Sequence, residues 1–211
     1  MNKENILRWA EVQNLTVYGK SILFNDTEIN TGIYLSETFI ELDYGYKILF
    51  EDSLSEFFEK LGVEGSYNIE NYCIKVGYPN SIEELLSLAQ RLCSIYPFKK
   101  EGIMQQDGEE LFYYEYSQGL LFIDLTESLN EDEIENLRHL KKYISFVQDL
   151  KDGFRIRDIK LQPTVNEQDV ICIDIGYLSE SDFSIVLEEV ARSIKSVLYL
   201  CRLPSLKEET V

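Results

Sequence analysis

The sequence predicts an α+β protein, a mainly antiparallel sheet with helices packed on one face, in which two halves carry an echoed strand–turn–helix pattern. Three features support that reading. One stretch alternates apolar and polar residues strictly, several amphipathic segments open on N-capping residues, and one short motif recurs about half a chain later.

Taken in order, the chain starts with a short polar stretch containing Trp9, and Leu15–Phe24 then reads as a strand. In Thr38–Phe50 the residues Ile40, Leu42, Tyr44, Tyr46, Ile48 and Phe50 fall on one face, with Glu41, Asp43 and Lys47 on the other. A period of two marks a half-buried strand, with Gly45 the place for a bulge or hairpin. Ser53-Leu54-Ser55-Glu56 has the form of a capping box and predicts a short helix that Gly62 stops. Tyr67–Tyr78 reads as the next strand. After the Pro79-Asn80 turn, Ser81-Ile82-Glu83-Glu84 supplies a second capping box, for a helix with Ile82, Leu85, Leu88, Ala89 and Leu92 on its core side, ending before Pro97.

Leu111–Tyr116 and Leu120–Thr126 flank Ser117-Gln118-Gly119, the pattern of a β-hairpin with glycine at a positive φ. Asn130 caps the longest predicted helix, running to about Leu150 with Ile134, Leu137, Leu140, Ile144 and Val147 in one stripe and Gly153 as terminator. Phe154–Leu161 and Val170–Tyr177 read as strands, and a last helix covers about Asp182–Val197. Cys73-Ile74-Lys75-Val76-Gly77-Tyr78 is echoed by Cys172-Ile173-Asp174-Ile175-Gly176-Tyr177, and each is followed by a serine-containing turn and a helix with paired acids. Two α+β halves, residues 1–100 and 101–211, follow from that echo, with the boundary near Lys99–Gly102 and a single continuous domain as the alternative.

Composition limits the functions to consider. Hydrophobic residues make up 45% of the chain and aromatics 12%, enough for a packed core. The 38 acidic against 20 basic residues give a net charge of −18, which disfavours direct binding to nucleic acid or to anionic membranes and favours basic proteins. There is no run of apolar residues of membrane-span length, and the N-terminus lacks a signal-peptide pattern, so a cytoplasmic location is expected. Cys73, Cys93, Cys172 and Cys201 are scattered with no CxxC, as thiols in a reducing compartment are.

Chemistry-bearing motifs are sparse. His139, the sole histidine, stands in a helical stretch where Glu135 pairs with it at i,i+4. No phosphate loop is present: Tyr18-Gly19-Lys20-Ser21 has only the tail of one. Asp124 and Asp174 lie near strand ends, and Glu131-Asp132-Glu133 with Glu135 could hold Mg²⁺ or Ca²⁺, although acids in a first helical turn are favoured by the helix dipole alone. No catalytic residue, metal ligand or cofactor is therefore assigned, and a non-enzymatic role is expected.

The charge pattern says more. From Glu101 to Asn136 there is no Lys or Arg, and Phe112, Tyr113, Tyr114 and Tyr116 stand among the acids. A basic segment follows, with Arg138, Lys141, Lys142, Lys151, Arg155, Arg157 and Lys160. Acids with exposed aromatics suit a basic protein partner. The expected patch is Asp107, Glu109, Glu110, Tyr114, Tyr116, Glu131, Asp132 and Glu133.

Val170–Val197 resembles the closing segment of small acidic secretion-chaperone-like α/β domains, a resemblance that covers under a quarter of the chain and transfers no function. The leading expectation is a non-catalytic inhibitor that neutralises a basic toxin, nuclease or defence protein, as immunity proteins and phage DNA mimics of this size and charge do. A chaperone-like or assembly subunit, compatible with a homodimer, is the alternative, followed by a Mg²⁺-dependent enzyme using Asp124 and Asp174.

Overall fold

The computed structural model describes residues 1–24, 31–143, 154–157, 159–161, 163–165 and 170–202. They form two units, Met1–Tyr96 and Pro97–Val211. The first unit runs α1 (Lys3–Val12), β1 (Thr16–Tyr18), β2 (Ser21–Leu23), β3 (Gly32–Leu35), β4 (Ile40–Asp43), α2 (Glu51–Leu61), β5 (Gly65–Asn68), β6 (Cys73–Val76) and α3 (Ile82–Ser94). Its sheet has the order β1-β2-β3-β4-β6-β5, antiparallel throughout. The second unit runs β7 (Lys100–Gln106), β8 (Glu109–Ser117), β9 (Leu120–Asp124), a 3-10 turn at Thr126–Ser128, α4 (Glu131–Tyr143), β10 (Phe154–Ile156), β11 (Ile159–Leu161), β12 (Pro163–Val165), β13 (Ile171–Asp174) and α5 (Glu180–Cys201). Its main sheet has the order β12-β13-β9-β8-β7, and β10 and β11 pair as a separate ribbon. The fold is α+β.

The two units repeat one topology. In each, a three-stranded meander (β2-β3-β4, then β7-β8-β9) leads to a helix (α2, then α4). A strand pair follows (β5-β6, then β12-β13), and its second strand docks antiparallel on the third strand of the meander. Each unit closes with a helix capped by serine: Ser81 Oγ accepts from the Glu84 amide and Ser179 Oγ from the Asp182 amide. The echoed hexapeptides lie at equivalent places, on β6 and β13. What differs is added at the margins, α1 and β1 in the first unit and the β10–β11 ribbon in the second.

Alternation decides which side of each strand is buried. Ile33, Leu35, Ile40, Leu42, Ile74 and Val76 line the core side of the first sheet, where Phe57 and Leu61 of α2 and Leu85, Leu88 and Leu92 of α3 are also buried. In the second, Phe112, Tyr114, Tyr116, Leu121, Ile123, Ile171 and Ile173 are buried, as are Phe183, Val186, Val190 and Ile194 of α5. Each fully buried Phe or Leu contributes about 1.5–3 kcal/mol, so both sheets are held chiefly by these faces.

Several elements differ from the sequence expectation. The polar start is helix α1: Asn2 caps it by accepting from the Asn5 amide, and only Ile6 and Ala10 are fully buried, too few apolar residues to register as a stripe. Leu15–Phe24 is two short strands about the Gly19 turn, and Tyr67–Tyr78 likewise divides into β5 and β6. The strand in Thr38–Phe50 ends at Asp43, because Gly45 takes φ +79°; Tyr44, Ile48 and Phe50 stay buried beyond it without a ladder. Helix α2 begins at Glu51, so Ser53 is buried inside its first turn rather than capping it, while Gly62 ends it in the left-handed conformation. Phe154–Leu161 is the β10–β11 ribbon, turned at Arg157 with φ +48°. The longest described helix is α5; the expected run of α4 to Leu150, with Ile144, Val147 and Gly153, lies outside the described residues. Among the described residues no helix is long and apolar enough to cross a membrane.

Candidate interaction surface

The predicted acidic and aromatic residues do not form one patch. Tyr114 and Tyr116 point into the core of the second unit. Tyr116 packs its ring 4.9 Å from Phe98 and 5.2 Å from Phe183, and its hydroxyl donates to the Gly176 carbonyl at 2.7 Å. Tyr114 is buried against the same Phe183, ring centroids 5.9 Å apart. Neither can meet a partner, because strand parity from Phe112 onward turns the even-numbered residues of β8 inward.

Two of the acids are already paired within the unit. Asp107, in the β7–β8 turn, meets Lys195 of α5 at 2.7 Å, and Glu109 meets Arg202 at 3.3 Å. Glu110 accepts from the Gln105 side chain at 3.3 Å. Glu131 and Asp132 are exposed in the first turn of α4, and Glu133 completes a reciprocal capping box with Asn130: Glu133 N–H donates to Asn130 Oδ1 at 3.0 Å, and Asn130 N–H to Glu133 Oε2 at 2.9 Å. Those acids serve the helix end, where the dipole favours them.

The antiparallel register also separates Asp124 and Asp174. Asp174 faces Leu120 while Asp124 lies one residue beyond Ile123, so they sit at opposite ends of the β9–β13 pair, about 13 Å apart at ~3.3 Å per residue. Asp124 Oδ1 accepts from the Thr126 amide and hydroxyl at 2.8 and 2.6 Å, an arrangement that turns the chain out of β9. Among the described residues no group of three His, Cys, Asp or Glu side chains is placed to hold a metal ion. The side chains of Arg138, His139, Lys141, Lys142 and Arg155, and Lys151 altogether, lie outside the described residues.

The outer face of the second sheet carries what the buried tyrosines do not. Register pairs Ile103 of β7 with Tyr113 of β8, and Tyr113 with Asp124 of β9. The neighbouring row runs Glu101, Glu115, Phe122, Cys172 and Thr164 across all five strands. Ile103 is 48% exposed, and Tyr113, Glu115 and Phe122 are half-exposed. Tyr113 donates weakly to Glu101 at 3.5 Å; desolvation, and then the Glu101 and Glu115 carboxylates, push its phenol above the usual range. Glu101 and Glu115 face each other directly, and Lys99 approaches both, at 3.9 and 3.5 Å. Two carboxylates directly opposite on one sheet face are unfavourable for the fold itself.

The outer face of the first sheet is built differently. Its β2–β3 pair, the counterpart of β7–β8, sets Ser21 opposite Tyr34, and farther along that row Glu41 pairs with Lys75 at 3.3 Å, with Lys75 4.7 Å over the Phe39 ring. The acidic cross-strand pair with adjoining aromatics is thus particular to the second unit.

Sequence reading missed Glu101, Ile103, Glu115 and Phe122 as a group for a geometric reason. Asp107-Gly108, both at positive φ, form a two-residue hairpin turn, which alone would set Glu101 opposite Tyr114. A bulge after Met104 shifts the register by one residue and brings Glu101 opposite Glu115. The Asp-Gly signal was legible; the bulge was not. No protein-family model matches the sequence, and no curated protein or solved structure is significantly similar to it.

Proposed function

We propose that the chain works by binding a basic protein partner through the outer face of its second sheet, as a non-catalytic inhibitor or neutralising protein. The observation that carries this reading is the Glu101–Glu115 pair, held face to face beside Ile103, Tyr113 and Phe122. Lys99 supplies one exposed cation, 3.9 and 3.5 Å away, to two carboxylates, so the opposed pair keeps a net negative charge. A partner presenting Lys or Arg around an apolar centre would relieve their repulsion, cover the aromatic rings and be steered in by the net charge of −18. The internal pairing of Asp107 and Glu109 shifts the expected contact away from the β7–β8 turn and onto the sheet face.

The test combines capture and reversal. Wild-type chain and a Glu101→Lys, Glu115→Lys variant are used to capture proteins from native-host lysate at low and moderate salt. A basic protein retained by the wild type, released as salt rises and lost by the variant supports the proposal; purified, it should then associate with the variant about tenfold or more slowly at low salt. Equal capture by both chains sinks it.

A further inference from the structure

Of the four edges of the two large sheets, three are blunted in recognisable ways. β1 and β12 have three residues each, and β12 starts with Pro163. β7 starts with Lys100 and Glu101, and its pairing is interrupted between Met104 and Gln105, where β8 carries the extra residue Leu111. Short strands, proline, charge and bulges are the usual means of preventing another chain from adding to an edge. β5, Gly65-Ser66-Tyr67-Asn68, has none of them except modest length: it carries no proline, charge or bulge, and Gly65 and Ser66 are exposed.

Beside this edge lies an open groove of ≈ 930 Å³. Its apolar lining is Leu54 and Phe58 of α2 with Val63 and Tyr67, all half-buried, and its charged lining is Glu59 and Glu64. Among the described residues no Lys or Arg is paired with either carboxylate. Gly65 is required here, because a Cβ at that position would collide with the Lys75 carbonyl and the Phe58 ring. Tyr67 fixes the inner wall: its hydroxyl donates to the Tyr46 carbonyl at 3.0 Å and accepts from the Ile48 amide at 3.1 Å.

We infer that the β5 edge and its groove take an extended segment of a partner protein with alternating basic and apolar residues, which adds as a further antiparallel or parallel strand. The edge supplies backbone donors and acceptors, Leu54, Phe58 and Val63 receive every second side chain, and Glu59 and Glu64 attract Lys or Arg from the segment. A second copy of this chain is a poorer occupant, since it would bring the same two carboxylates against themselves. This site belongs to the first unit and stands whether or not the outer face of the second sheet binds.

The full chain, ¹⁵N-labelled, is titrated with a synthetic peptide of about eight residues alternating Lys and Val, long enough to overhang β5 at ~3.3 Å per residue. Amide shifts are expected at Val63–Asn68 and along the Leu54–Phe58 side of α2. N-methylating alternate peptide nitrogens on the pairing edge keeps the charge and side chains but removes the donors, and should weaken binding about tenfold or more. Glu59→Lys with Glu64→Lys, both at surface positions, should weaken it several-fold at low salt. The inference is overturned if the N-methylated peptide binds equally, if shifts appear on Glu101, Tyr113 and Glu115 instead of β5, or if no shift appears at about millimolar peptide. It is also overturned if the β5 amides shift on diluting the chain alone, which would make the edge an interface between copies.

Discussion

Gly119 and Gly176 meet backbone to backbone in the second unit, and that contact sets how tightly β8, β9 and the end of β13 close together. The Gly119 carbonyl accepts from the amides of both Ile175 and Gly176, at 3.0 and 2.9 Å. At φ +76°, with backbone atoms of Gly176 only 3.1–3.2 Å from where a Cβ would stand, position 119 has no room for alanine. Tyr116 completes the junction through its bond to the Gly176 carbonyl. Tyr116→Phe leaves that carbonyl without its buried donor and should cost about 1–3 kcal/mol in urea unfolding. Gly119→Ala should cost more than about 1 kcal/mol, since both strain and a backbone clash oppose it; a neutral result would mean the junction is looser than its geometry. The thiols give a pH test at the same scale. Burial pushes Cys201 up to about 11, and desolvation also raises Cys73 and Cys172. A thiol with a raised folded-state pKa keeps its proton while the unfolded chain loses it. Its contribution is therefore whole below the ordinary thiol pKa near 9 and is lost as pH rises through about 11. Native Cys201 should resist alkylation at pH 8 and react only on unfolding, which mass spectrometry of labelled peptides reads directly.

At the scale of elements, the two serine caps show one solution used twice with different surroundings. Glu84 reaches back to the exposed Asn80 amide at 2.7 Å, whereas Asp182, at the same place on α5, is fully buried and meets Arg157 at 2.8 Å. Arg157 comes from the β10–β11 turn, so this ion pair ties the added ribbon to the start of α5. Arg157→Ala would remove the guanidinium from a buried carboxylate. With the guanidinium itself 43% exposed, the cost should fall below that of a fully buried pair, at roughly 2 kcal/mol. Ser81→Ala, removing a cap at an exposed helix start, should cost about 1 kcal/mol; if thermal unfolding ranks the two the other way, the ribbon is not anchored by this pair. These elements also mark what sequence could and could not deliver. The caps at Ser81 and Asn130 and the Gly62 stop were legible because each is a local hydrogen-bonding problem with few solutions. So was the Gly119 hairpin, for the same reason. Helix α1, the splitting of Tyr67–Tyr78 into β5 and β6, and the bulge at Leu111 of β8 depend on packing and register, which no window of the chain encodes. The buried Tyr114 and Tyr116 belong to that second class: alternation predicts that one face is exposed but does not say which.

For the whole molecule, the repeated topology explains why two sheets of such different surface character share one core design. Inward positions are apolar in both, while the outer row runs Ser21, Tyr34, Glu41 and Lys75 in the first unit and Glu101, Glu115, Phe122 and Cys172 in the second. The design fixes the inside and leaves the outside free to diverge, so charge can accumulate on the surface without altering the fold. It has accumulated far: 38 acidic against 20 basic residues. Surface pairs such as Lys195–Asp107 and Arg202–Glu109 are weakened by added salt, but so is repulsion among the many more carboxylates. The two effects oppose one another, and the excess of acids decides the sign. Raising sodium chloride from about 10 to about 150 mM shortens the screening length from about 30 to about 8 Å, which reaches most neighbouring carboxylates and should stabilise the chain. The urea midpoint should therefore rise across that range, and Glu101→Lys with Glu115→Lys should lessen the rise while leaving the fold intact. A midpoint that falls with salt would mean that the ion pairs outweigh the repulsion, and that the acidic surface is already balanced within the chain rather than held open for a basic partner.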